Sequence, residues 1–160
     1  MNMITIYSSF NLVTHYVNTK DYYILPKDEQ ISAIPSDIQN LAIYFYGNAL
    51  RRVHLSPSLS ELKSLLIGNN CFNKSCDFVL DGLPSLENVK IGVDCLGAGK
   101  NDGVNGVCRI TNCPHLKQLE IFDGSLEYFK SFEISNVNSI QSINFGKCCF
   151  EYADLSLKGE

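Results

Sequence analysis

Between residues 38 and 150 the chain repeats itself. Leu62-Lys63-Ser64-Leu65-Leu66-Ile67-Gly68-Asn69-Asn70-Cys71-Phe72 is matched, at an offset of 24, by Leu86-Glu87-Asn88-Val89-Lys90-Ile91-Gly92-Val93-Asp94-Cys95-Leu96. The pattern returns at a further offset of 30 as Leu116, Leu119, Ile121, Ser125 and Leu126, and at another of 24 as Ile140, Ile143, Phe145, Cys149 and Phe150. A weaker copy, Ile38, Leu41 and Ile43, precedes Leu62, Leu65 and Ile67 in the same register. A period in the range of roughly 20 to 50 residues restricts the fold severely, because each unit is one supersecondary element that cannot bury its apolar side alone. Such units stack on one another as a solenoid.

Each unit carries a second apolar segment: Val53-His54-Leu55, Phe78-Val79-Leu80, Cys108-Arg109-Ile110, Phe132-Glu133-Ile134 and Leu155-Ser156-Leu157. Apolar residues flank a central residue that is polar in all but Val79, the alternation of a half-buried strand. Asp81-Gly82, Thr111-Asn112, Ser135-Asn136 and Lys158-Gly159 follow, and these residue types tolerate tight or left-handed turns. The expected fold is a β-rich solenoid with two short parallel strands per coil and few or no helices. Residues 1–160 read as a single domain, with an irregular N-terminal coil over 1–33 and clearer repeats over 34–160. In that first coil Met3–Tyr7 and Tyr22–Pro26 are the candidate strands, Leu25-Pro26 echoing Ser56-Pro57 after a second strand. The repeat stops at Glu160 without a polar capping unit, so a longer, truncated array is the expectation.

The L-x-x-L-x-x-L-x-I skeleton of Leu59/Leu62/Leu65/Ile67 and Leu83/Leu86/Val89/Ile91 resembles leucine-rich repeats, over roughly residues 34–160. Ile67-Gly68-x-x-Cys71-Phe72 is similar to the I-G-x-x-A-F signature of the BspA-like subtype, found in many microbial surface proteins. The resemblance implies a parallel sheet that binds other proteins. The Asn of the widespread L-x-x-N-x-L form is kept only at Asn70, with Asp94, Gly124 and Cys148 in the equivalent places, which argues against a continuous Asn ladder.

Composition narrows the partners. A formal charge of −4 and a pI near 5.3 leave no basic excess, against nucleic acid as a partner. The first residues lack a basic segment followed by an apolar run, so no signal peptide is read. No apolar run approaches the roughly 18 residues of a membrane-spanning helix, so no membrane insertion is expected. Seven cysteines, an odd number, cannot all pair within the chain. Reduced thiols and a cytoplasmic location are the expectation.

Three chemistries compete with plain structure. Cys71-x4-Cys76 and Cys108-x4-Cys113 look like paired zinc ligands. In repeat register, however, Cys71, Cys95 and Cys149 share a slot with Ser125, Cys108 one with Phe78 and Phe132, and Cys113 one with Leu83 and Val137. These five read as core filling, because a free Cys behaves as a small hydrophobe, while Cys76 and Cys148 fall outside the scheme. No metal site and no cofactor are expected, and a metal-binding module through Cys76, Cys108 and Cys113 is the remote alternative. The imidazoles His15, His54 and His115 complete no catalytic motif, so the chain is not read as an enzyme. Gly97–Gly106 accounts for the greater length of the third coil and reads as a protruding loop, without the ending of a phosphate-binding or calcium-binding motif. Asn73-Lys74-Ser75 is a glycosylation acceptor sequence that matters only in a secreted protein.

Stacking turns equivalent residues into columns. The outward positions of the first strand form the column Ala42, Leu66, Lys90, Glu120, Asn144 and its neighbour Asn40, Ser64, Asn88, Gln118, Ser142. Leu66, Lys90, Glu120, Asn144, Asn88 and Gln118 are the candidate binding residues. The second strand presents His54, Val79, Arg109, Glu133 and Ser156. The expected function is a non-catalytic protein-interaction module or scaffold with protein partners. The alternative is a structural spacer of a larger surface or scaffold protein.

Overall fold

Alternation decides which side of each strand goes inward. In Arg52-Val53-His54-Leu55, Val53 and Leu55 are buried and Arg52 and His54 exposed, and the same in-out order holds in the next three coils. The structure, a computed structural model, describes residues 22–25, 31–44, 51–75, 77–97 and 106–158. They form a parallel β-solenoid of about four turns, essentially without helix.

The first sheet has six strands: β1 (Tyr23–Ile24), β2 (Asn40–Ile43), β4 (Ser64–Ile67), β6 (Asn88–Ile91), β8 (Gln118–Ile121) and β10 (Ser142–Phe145). The second has five: β3 (Arg52–Leu55), β5 (Asp77–Asp81), β7 (Gly106–Thr111), β9 (Phe129–Ser135) and β11 (Asp154–Lys158). All neighbours pair in parallel, and the registers follow the repeat offsets: Leu41↔Leu65↔Val89↔Leu119↔Ile143 in one sheet and Val53↔Phe78↔Cys108↔Phe132↔Leu155 in the other. The two inward faces meet in one core. Leu65, Val89, Leu119, Phe78, Cys108 and Phe132 are among its buried residues, each aliphatic or aromatic side chain worth about 1.5 to 3 kcal/mol for its removal from water. Among the described residues, no helix is long and apolar enough to cross a membrane.

Corners are set by backbone chirality. Asn70, Asp94, Gly124 and Cys148, the four residues that share one slot in the repeat register, all have φ between 53° and 70°. The common demand at that slot is a left-handed backbone, which Asn, Asp and Gly meet at least cost. Two residues on, Phe72, Leu96, Leu126 and Phe150 also have positive φ, from 53° to 59°. Bulky residues adopt this conformation at a penalty of about 1 to 2 kcal/mol, offset here by burial of all four side chains. Gly82, Asn112 and Asn136 make the corner after the second strand, with φ of 65°, 54° and 54°.

Two expectations are corrected at the N-terminal end. Tyr23–Ile24 extends the first sheet, with Tyr23 opposite Leu41, instead of forming the second strand of a coil. The stretch of chain from Tyr23 to Leu41 is shorter than the full coil from Leu41 to Leu65. Leu25 N–H donates to the Ala42 carbonyl at 3.1 Å and continues that pairing. Ala42, assigned to the outward column, is fully buried. Met3–Tyr7 lies outside the described residues, as does most of the Gly97–Gly106 insertion. The registers on both sides of that insertion are unbroken, apart from a bulge where Gly106 pairs with Phe129 and Val107 with Ser131.

Candidate functional site

The first sheet places every candidate binding residue where the columns put it. Leu66↔Lys90↔Glu120↔Asn144 run across β4, β6, β8 and β10, and Asn88↔Gln118 pair beside them. Gln118 and Asn144 are exposed, while Leu66, Asn88, Lys90 and Glu120 are half-buried. Lys90 Nζ and Glu120 Oε2 form an ion pair at 2.7 Å, so these two charges neutralise one another. A surface pair of this kind, still open to water, contributes at most about 1 kcal/mol. No side-chain hydrogen bond or ion pair ties Asn88, Gln118, Ser142 or Asn144 to another described residue. Their amides and hydroxyl therefore offer donors and acceptors to a partner.

The entrance to these strands carries a rim that column reading did not single out. Lys63 Nζ donates to Gln39 Oε1 at 3.3 Å, and Lys117 Nζ meets Glu87 Oε2 at 2.8 Å. The Lys117 ammonium, by hydrogen bond and charge, holds the Glu87 carboxyl below its usual range. The sequence signal was present, since Gln39, Lys63, Glu87 and Lys117 stand at the repeat offsets of 24, 24 and 30.

The second sheet is different in kind. Arg109 Nε meets Glu133 Oε2 at 3.3 Å, Lys158 reaches the same carboxylate at 3.7 Å, and Arg52 pairs with Asp77 at 3.2 Å. At its exit corner Asp81 Oδ1 accepts from Thr111 Oγ1 and Asn112 Nδ2, both at 2.8 Å, and Asn136 Nδ2 donates to Asn112 Oδ1 at 2.8 Å. The hydrogen bond from Thr111, with that from Asn112, pulls the Asp81 carboxyl below its ordinary value. An amide ladder thus exists after the second strand, away from the slot shared by Asn70, Asp94, Gly124 and Cys148. Its polar groups are occupied with one another.

The cysteines sit as the repeat register requires. Cys71, Cys95, Cys108 and Cys113 are buried, Cys149 is half-buried, and Cys148 is exposed; Cys76 lies outside the described residues. Desolvation pushes the Cys108 and Cys95 thiols far above their usual range, and Cys113 and Cys149 upward as well. A buried neutral thiol is a poor nucleophile. The slot has a polar task in addition to filling: Cys95 Sγ donates to the Gly68 carbonyl at 2.8 Å, Ser125 Oγ to Gly92 at 2.6 Å and Cys149 Sγ to Phe122 at 3.1 Å. Each donor satisfies a carbonyl of the preceding coil.

Neither described imidazole joins a cysteine. His115 is exposed on its turn and donates from Nδ1 to the Pro84 carbonyl at 2.6 Å, and His54 is exposed on β3 beside a groove under the turn Ile31–Ala33. Among the described residues, no three His, Cys, Asp or Glu side chains converge on one point. The geometry is that of two polar sheet surfaces, and on the first Asn88, Gln118 and Ser142 form a row of hydrogen-bonding groups with no side-chain partner among the described residues. Compared with protein-family models, curated proteins and solved structures, the chain matches none.

Proposed function

We propose that this chain is a non-catalytic protein-interaction module of the leucine-rich-repeat kind that binds through its first sheet. The observation that carries this is the contrast between the two sheets. On the second sheet Arg52, Asp77, Arg109, Glu133 and Lys158 pair among themselves, whereas Asn88, Gln118, Ser142 and Asn144 of the first have no side-chain partner among the described residues, beside a single internal pair, Lys90–Glu120. Uncharged donors and acceptors favour a polypeptide surface over a polyanion, in keeping with the acidic pI of about 5.3. Deep burial of four cysteines supports the non-catalytic part of the reading. The self-paired second sheet favours a spacer role for that side of the solenoid.

The test compares faces. Gln118→Arg and Lys90→Ala/Glu120→Lys alter the first sheet, and Glu133→Lys alters the second, all at solvent-facing positions. Proteins captured by the wild-type chain should be retained by the second-sheet variant and lost, with binding weakened about tenfold or more, by the first-sheet variants. Equal retention by all variants would remove the first sheet as the binding face.

A further inference from the structure

Two cysteines share one slot on consecutive coils. Cys71 and Cys95 stand at the repeat offset of 24, and both are buried thiols. Strands β4 and β6, which lead into the slot, pair in register from Ser64↔Asn88 to Ile67↔Ile91. Backbone bonds then bracket the slot itself: Asn70 N–H donates to the Val93 carbonyl at 2.8 Å and Leu96 N–H to the Cys71 carbonyl at 3.0 Å. Stacked parallel chains lie about 4.8 Å apart, and a disulfide spans about 4.4 to 6.8 Å between α-carbons. The spacing of these coils is therefore one that a disulfide can bridge.

The side chains are within reach of one another as well. Cys95 Sγ extends into the coil of Cys71 and donates to the Gly68 carbonyl at 2.8 Å. Burial, and after it the Cys71 thiol alongside, push the Cys95 thiol far above its ordinary range. Among the described cysteines no other two stand at one slot of consecutive coils. Ser125 takes the slot on the next coil and separates Cys95 from Cys149. Cys108 is stacked between Phe78 and Phe132 in the second sheet, and Cys113 lies in the slot of Leu83 and Val137.

We infer that Cys71 and Cys95 form a disulfide that staples the coil of β4 to the coil of β6 when the chain folds in the presence of a small-molecule disulfide. One protein thiolate attacks that disulfide and expels one small thiol, and the second protein thiolate displaces the other, forming the Cys71–Cys95 sulfur–sulfur bond. Two protein thiols are oxidised, and one small disulfide is reduced to two thiols that take up the two protons. The step belongs to folding, because in the finished coils both sulfurs are buried and a buried neutral thiol is a poor nucleophile. The bond restricts the unfolded chain, and it ties together the strands that carry Leu66 and Lys90 of the first sheet.

Refolding the 160-residue chain from urea with a mixture of reduced and oxidised glutathione, followed by non-reducing peptide mapping, tests this. The expected map links Cys71 to Cys95. The linked protein should have its folding equilibrium shifted about thirtyfold or more toward the native state, relative to the same chain refolded with reduced glutathione alone. Cys71→Ser and Cys95→Ser each place in the slot the residue type that position 125 already carries. Each should fold, lose the link and lose the difference between the two buffers. A wild-type map in which Cys71 and Cys95 stay reduced or pair elsewhere, or a linked protein no more stable than the reduced one, would overturn the proposal.

Discussion

Ser125 holds two backbone groups of the preceding coil at once, accepting from the buried Cys95 N–H at 2.9 Å and donating to the half-buried Gly92 carbonyl at 2.6 Å. Ser125→Ala strands both, and each unsatisfied buried group costs about 1 to 3 kcal/mol. The variant should lose about 2 to 4 kcal/mol in urea unfolding, and Ser125→Cys no more than about 1 kcal/mol, since a thiol fills that slot in the neighbouring coils and keeps a donor. Equal losses for the two would mean that shape, and not hydrogen bonding, fixes the slot. The register and inward direction of this column were legible in the sequence, because Cys71, Cys95, Ser125 and Cys149 recur at the coil offsets. Its polar role was not, because the accepting carbonyls belong to another coil and approach only once the coils stack. The positive φ of Phe72, Leu96, Leu126 and Phe150 was hidden for a related reason: core burial overrides the local preference that composition reports.

Between elements, the glycine after the first strand answers to the coil before it. Asn69 Oδ1 accepts from Val93 N–H at 2.9 Å and Asp123 Oδ1 from Lys147 N–H at 2.8 Å, and at both junctions the next coil has a glycine, Gly92 and Gly146. A Cβ at Gly92 would stand 2.8 Å from Asn69 N and Gly68 C, and one at Gly146 would stand 2.7 Å from Phe122 C. Where the earlier residue is Val93, which has no side-chain acceptor to bridge the coils, the following position is Phe122. Gly92→Ala and Gly146→Ala should therefore each cost about 1 to 3 kcal/mol through overpacking, while Phe122→Ala introduces no such clash. Chemical denaturation of the three variants checks the ordering, and a Gly92→Ala protein as stable as wild type would break the rule. The Ile-Gly pairing was plain in the sequence, but its cause lies one coil away in space-filling contacts. The six binding candidates were legible because strand period and coil offset together fix a column. Burial of Ala42 and the sheet to which Tyr23–Ile24 belongs were not, since the first coil departs from the offset that made the others readable.

At the scale of the molecule, every described strand pairs only with the coils on either side, so stability approximates a sum of nearest-neighbour terms. A core residue between two coils then matters more than its equivalent at the end face. Leu119 is fully buried between Val89 and Ile143, whereas Leu157 has Ile134 on one side and is 67% exposed. Leu119→Ala should cost about 2 to 5 kcal/mol in chemical denaturation. Leu157→Ala, with most of its surface already in water, should cost less than about 1 kcal/mol. Amide exchange should run fastest in β10 and β11 and slowest in β6 to β8, because edge coils open without breaking central interfaces. Uniform exchange across all strands would show that the solenoid opens as one cooperative block.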